Sequence, residues 1–104
     1  MIVDERMVTF MNSLELPEDP LLEAIESEAL ESFVPIIRTE TKSLLKVLLT
    51  LAKPMRILEV GTAVGYSALV MQTYGPENCK ITTIENYAKR IPIARANFAR
   101  AGKE

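Results

Sequence analysis

The chain has 104 residues and a mass of 11.6 kDa, with 48% hydrophobic and 25% charged residues. That is the balance of a globular domain and argues against intrinsic disorder. With no histidine and a single cysteine, these residues cannot build a Ser-His-Asp or Cys-His hydrolase site, a His-ligated metal site or an internal disulfide. The net charge of −2 hides an asymmetry, because residues 1–40 hold ten acids against two bases and residues 41–104 hold four acids against ten bases. The two halves read either as solvated helix faces of opposite sign or, in the second half, as a basic surface for an anionic substrate such as nucleic acid. No apolar run reaches 18 residues, so no membrane-spanning helix is expected. The start Met1-Ile2-Val3-Asp4-Glu5-Arg6 lacks the basic and apolar stretches of a secretory leader, and with the lone Cys79 it points to a cytoplasmic setting.

Val3, Met7, Phe10, Met11 and Leu14 fall on one helical face and predict an amphipathic helix over 2–13. Asp19-Pro20 predicts the start of a second helix, with Asp19 as N-cap and Pro20 at the first helical position. Its core face is Leu22, Ile25, Ala29 and Phe33. Pro35 forces Val34 out of helical geometry, so 34–37 is extended. Thr39 is the expected cap of a third helix with a core stripe of Leu44, Leu45, Leu48, Leu51 and Ala52, ended by Lys53-Pro54.

Beyond Pro54 the period changes. Arg56 to Val60 reads as a buried strand stopped by Gly61, Tyr66 to Tyr74 as a helix closed by Gly75-Pro76, and Lys80 to Glu85 as a second strand. A last helix shows Ile91, Ala94, Phe98 and Ala101 on one face, with Pro92 in its first turn and Gly102 at its end. Three helices followed by β-α-β-α make an α/β fold with a parallel sheet.

The stretch Glu59-Val60-Gly61-Thr62-Ala63-Val64-Gly65-Tyr66-Ser67 joins a strand end to a helix start. A glycine there lets backbone approach a ligand, and the helix N-terminus offers unpaired N–H groups to an anion. The spacing G-x-x-x-G is neither the dinucleotide fingerprint nor a phosphate loop. Glu85, at the end of the second strand, can accept hydrogen bonds from both hydroxyls of a ribose. Loop and acid together suggest an adenosine-containing cofactor without a pyrophosphate. Glu59 on a buried strand needs a partner.

These residues, from Glu59-Val60-Gly61 through Gly65-Tyr66-Ser67 and on to Ile81-Thr82-Thr83-Ile84-Glu85, resemble class I S-adenosylmethionine-dependent O-methyltransferases of the catechol and caffeoyl-CoA type. Pro35-Ile36-Ile37-Arg38-Thr39-Glu40-Thr41 and the segment from Ala94-Arg95-Ala96-Asn97 to Ala101-Gly102 look similar to the bacterial branch that includes tRNA 5-hydroxyuridine methyltransferases. The resemblance implies a Rossmann-like methyltransferase fold truncated to three N-terminal helices plus a β-α-β-α unit: a helical cap over 1–53 and the first half of the cofactor-binding sheet over 54–104. It further implies that Ile37 touches the cofactor from the cap, Glu59 holds the methionine amino group, Gly61 gives its backbone room, Ser67 binds the methionine carboxylate and Glu85 holds the ribose. The cofactor that the resemblance implies is S-adenosyl-L-methionine.

In the resembled family magnesium is held by carboxylates and an amide on later strands, and this chain's only aspartates are Asp4 and Asp19. No catalytic residue or metal ligand is therefore expected here, and the 104 residues alone are expected to be inactive. The acceptor is either a uridine of tRNA or a small phenolic compound. A non-catalytic module that binds the cofactor or pairs with another chain is the rival reading. Open strand edges lead us to expect a homo-oligomer.

Overall fold

Two aspartates open the first two helices. Asp4 Oδ1 accepts the Arg6 amide at 2.8 Å, and Asp19 Oδ1 accepts those of Leu21 and Leu22 at 2.9 and 3.3 Å. Each bond satisfies an N–H that the helix itself leaves unpaired. In the computed structural model, which describes residues 4–14 and 18–103, these helices are α1 (Glu5–Ser13) and α2 (Pro20–Glu31). They are followed by α3 (Thr39–Ala52), β1 (Arg56–Val60), α4 (Tyr66–Tyr74), β2 (Lys80–Ile84) and α5 (Ile91–Arg100). The order and type of every element match the sequence reading. β1 and β2 pair in parallel, with Glu59 opposite Thr83 and Val60 opposite Ile84.

The core is built on helices. α4 buries Tyr66 and all of Ala68 to Met71, and packs against α2 and α3. Leu22, Ile25 and Ala29 of α2 join Val64, Tyr66, Leu69 and Val70 in one cluster, so the N-terminal helices and the β-α-β-α unit share a single core. Neither strand contributes a fully buried side chain. Ile57 and Glu59 are half-buried, whereas Leu58, Val60 and Ile84 face outward, at 67%, 80% and 51% exposed. The expected buried strand is therefore corrected to one covered on one face only.

Four expectations about faces and caps also change. In α1 the inward residue is Val8, and Met7, Phe10, Met11 and Leu14 are exposed. α1 packs chiefly on α3, and one neighbouring helix covers only the side that carries Val8; Val3 lies outside the described residues. Phe33 does not continue the α2 face. The helix stops at Glu31, and Phe33 takes the left-handed conformation (φ 57°) at 93% exposure. Val34 N–H to Ala29 O and Phe33 N–H to Leu30 O then close a Schellman motif with phenylalanine where glycine is usual. Thr39 does not cap α3: the N-cap is Arg38, and no side chain bonds there. The α3 stripe also differs, since Leu49 and Lys42 are buried while Leu44, Leu48, Leu51 and Ala52 are exposed and Leu45 is half-buried.

Lys42 is buried because it has a partner. Its ammonium pairs with Glu18, whose Oε1 accepts the Tyr74 hydroxyl at 2.5 Å. Lys46 sits 4.3 Å from the Tyr74 ring centre, a cation–π contact. Burial pushes the Glu18 carboxyl up, but the bonds from Lys42 and Tyr74 and the charges of Lys42 and Lys46 outweigh it, leaving the group below the usual carboxylate range. This network ties the start of α2 to α3 and to the end of α4. At the other end of α2, Glu28 takes both arms of Arg100 from α5, at 2.8 and 3.2 Å.

Candidate cofactor-binding site

The segment between β1 and α4 turns sharply because three of its five residues are left-handed: Gly61 (φ 95°), Ala63 (φ 49°) and Gly65 (φ 87°). Glycine takes that geometry freely, whereas Ala63 costs about 1 kcal/mol or more. The loop is anchored on three sides. Ile84 O at the end of β2 accepts the Gly61 and Thr62 amides at 2.8 and 3.1 Å. Glu85 Oε1 accepts the strained Ala63 amide at 2.7 Å. From α5, the buried Asn97 donates its amide to Val64 O at 2.8 Å. Gly65 is also demanded by space, because a Cβ there would lie 2.8 Å from the Phe98 ring. A Cβ at Gly61 would meet nothing within 4 Å, so that backbone faces open room.

The loop leads into α4 with no side chain capping the helix, so the first-turn amides are available to an anion. A cleft of about 240 Å³ opens over this turn, lined by Ile36 and Ile37 on one side and by Gly61, Thr62, Tyr66 and Ser67 on the other. A larger cavity, about 710 Å³, runs elsewhere, along β2 from Cys79 to Thr83 and beneath Phe98. It holds none of the five residues singled out in the sequence.

Those five converge. Ile37, Gly61 and Ser67 line the smaller cleft. Glu59 is joined to Ser67, whose hydroxyl donates to Glu59 Oε2, and Glu59 Oε1 accepts the Thr83 hydroxyl at 2.7 Å. Glu85 bonds the loop through Ala63 and its own following turn through the Tyr87 amide, at 3.0 Å. The amides of Tyr87 and Ala63 hold the Glu85 carboxyl below its usual range, with Arg90 adding to the effect. Burial and the Glu26 carboxylate keep the Tyr66 phenol protonated well above the usual tyrosine range, and its hydroxyl donates to Glu26 at 3.1 Å.

Sequence reasoning missed Thr62 and Thr83, whose hydroxyls meet at 2.6 Å. The available signal was the equal length of the two strands, whose parallel register puts Thr83 beside Glu59.

The chemistry is that of recognition. Two carboxylates at strand ends accept N–H and O–H donors, while a hydroxyl and the helix amides receive an anion. That donor set, with the open room at Gly61, fits a nucleoside that carries a free amino acid end. It does not fit magnesium: among the described residues no three of His, Cys, Asp or Glu come together.

A sequence model of an O-methyltransferase family matches residues 13–104. A catechol O-methyltransferase of Niastella koreensis is 36% identical over 87 residues, 82% of this chain and 39% of the relative. A protein-L-isoaspartate O-methyltransferase of Methanococcoides burtonii is 42% identical over 55 residues, 53% of this chain and 27% of the relative. Among solved structures, the O-methyltransferase TomG of Streptomyces achromogenes, in complex with SAM, superposes with a TM-score of 0.75 at 29% identity, covering 91% of this chain and 44% of that one. The Bacillus cereus O-methyltransferase in complex with SAH gives 0.77 at 25% identity, over 90% and 44%. A Geobacter sulfurreducens methyltransferase, at 23% identity, shares the fold with a TM-score of 0.84 over 99% of this chain and 54% of that one. The chain thus spans 39% of the catechol relative and 44% of TomG. By sequence match and by fold, this chain belongs to the class I S-adenosylmethionine-dependent O-methyltransferase family.

Proposed function

We propose that these residues form the methyl-donor side of an S-adenosylmethionine-dependent O-methyltransferase. The observation that carries the reading is the convergence of Ile37, Glu59, Gly61, Ser67 and Glu85 on one loop and its cleft. In this reading Ser67 and the first-turn amides of α4 receive the methionine carboxylate, Glu59 the amino group and Glu85 the ribose hydroxyls. Ile37 packs from the opposite wall, and Gly61 leaves its backbone open. The bound sulfonium supplies an activated methyl group for in-line transfer to an oxygen nucleophile. Calorimetry with S-adenosylhomocysteine should show saturable one-to-one binding to the wild-type chain, and its absence would overturn the assignment.

Two acceptors are supported by different observations. The basic second half favours tRNA 5-hydroxyuridine: Lys53, Arg56, Lys80, Lys89, Arg95 and Lys103 are exposed and make no ion pair among the described residues. Arg56 and Lys80 lie side by side at the end of the sheet opposite the loop, whereas Lys89 and Arg90 follow Glu85 closely. The catechol relative favours a small phenolic acceptor. Salt-dependent tRNA binding that persists with free catechol present would select the first. The lone Cys79 supports a reducing, cytoplasmic setting, and no helix of the described residues is long and apolar enough to cross a membrane.

These 104 residues by themselves should bind donor but transfer no methyl group, since their donor set does not fit the family's metal. The outward Leu58, Val60 and Ile84 and the unpaired outer edges of β1 and β2 should drive self-association. Light scattering should report a dimer or larger species, and a cooperative monomer would refute the argument.

A further inference from the structure

We infer that Thr83 is a positioning residue: it holds the Glu59 carboxylate in place for the donor's amino group while Ser67 turns to the donor's carboxylate. The inference rests on the reading that the cleft takes an adenosine that carries a free amino acid end.

A hydroxyl has a single proton to donate. Thr83 donates its own to Glu59 Oε1 at 2.7 Å, so in its 2.6 Å contact with Thr62 it must accept. The chain of bonds is therefore directional, from Thr62 to Thr83 to Glu59, and its root is fixed. Thr62 is 5% exposed, and its amide is bonded to Ile84 O.

Ser67 differs. Its one proton is donated to Glu59 Oε2, yet the residue also lines the cleft. It cannot donate to Glu59 and to a ligand carboxylate at once. Drawn to the ligand, it releases Oε2, the oxygen then free to accept an ammonium group. Glu59 would at that moment swing loose but for Thr83, whose hydroxyl contacts, Thr62 and Glu59, are both protein. The register of the two strands places Thr83 directly opposite Glu59, on rigid backbone.

The test uses two ligands that differ only at the amino acid end, where Glu59 and Ser67 act. S-adenosylhomocysteine carries the amino and carboxylate groups, and 5′-methylthioadenosine carries the same nucleoside and thioether without them. Calorimetry on the wild-type chain, Thr83→Val and Thr83→Ser should show that valine weakens the first ligand roughly 10-fold, as expected for one hydrogen bond to a charged group. The second ligand should be unaffected, and serine should restore the first. Should Thr83→Val not fold, Thr83→Ala is held to the same two-ligand split. Equal loss for both ligands would overturn the inference, because the loop would merely have loosened. Undiminished binding of S-adenosylhomocysteine by Thr83→Val would overturn it too. If the wild-type chain binds neither ligand, the cofactor reading itself fails and takes the inference with it, a result distinct from either of the others.

Discussion

Glu85→Ala is expected to weaken S-adenosylhomocysteine binding roughly 10- to 100-fold, the range for lost hydrogen bonds to an ionised group. Two effects combine. The ribose hydroxyls lose their acceptor, and the Ala63 amide loses the carboxylate that offsets its left-handed geometry. Glu85→Gln separates them, since its carbonyl can still accept one of the two amides while its NH₂ faces the other as donor to donor. Its affinity should fall between those of the wild type and the alanine variant. Equal affinity for wild type and Glu85→Ala would remove Glu85 from the site. The pH dependence has a definite sign. The carboxyl lies below its ordinary 4.5 in the folded chain, so its stabilisation is full above that value and is lost as pH falls through the lower folded one. The wild type's advantage over Glu85→Gln should therefore be present at neutral pH and vanish in acid.

Glu18→Ala should cost about 3 kcal/mol in denaturant unfolding, because it strands a buried ammonium. Lys42 is left at 7% side-chain exposure without a countercharge among the described residues, and the Tyr74 hydroxyl loses the Glu18 acceptor it reached at 2.5 Å. The double change Glu18→Leu with Lys42→Met should recover most of the loss, since the cost lies in one uncompensated charge rather than in the absence of the pair. A loss under about 1 kcal/mol for Glu18→Ala would show that water reaches the pair and that it behaves as a surface bridge. The Glu18 carboxyl is likewise held low, so this contribution too is present above about 4.5 and fades in acid.

What was legible in the sequence was punctuated. Asp19-Pro20, Lys53-Pro54 and Gly75-Pro76 mark boundaries by local chemistry alone, and all seven elements follow. The loop was legible for the same reason, because glycines at 61 and 65 between a strand and a helix have few other uses. Faces were harder. α3 carries Leu44, Leu45, Val47, Leu48, Leu49 and Leu51, apolar nearly all round, so periodicity cannot choose its inward side. The choice falls to Lys42, through a carboxylate 24 residues away. Val8 against Met7 and Phe10 is the same ambiguity on a helix with one main neighbour. Phe33 at a position suited to glycine could not be foreseen, because its conformation is imposed by where the α2 ladder stops. Thr83 looks like any strand threonine until the register sets it beside Glu59.

The helical core bears on the order in which the chain takes shape. The contacts that bend and hold the Gly61–Gly65 segment come from Ile84, Glu85, Asn97 and Phe98, and the packing beneath it comes from α2. All lie within the described residues. During synthesis from the N-terminus, the Gly61–Gly65 turn has each of these struts once α5 has left the ribosome. In the proposed reading, changes in surfaces that meet an acceptor would leave these struts untouched.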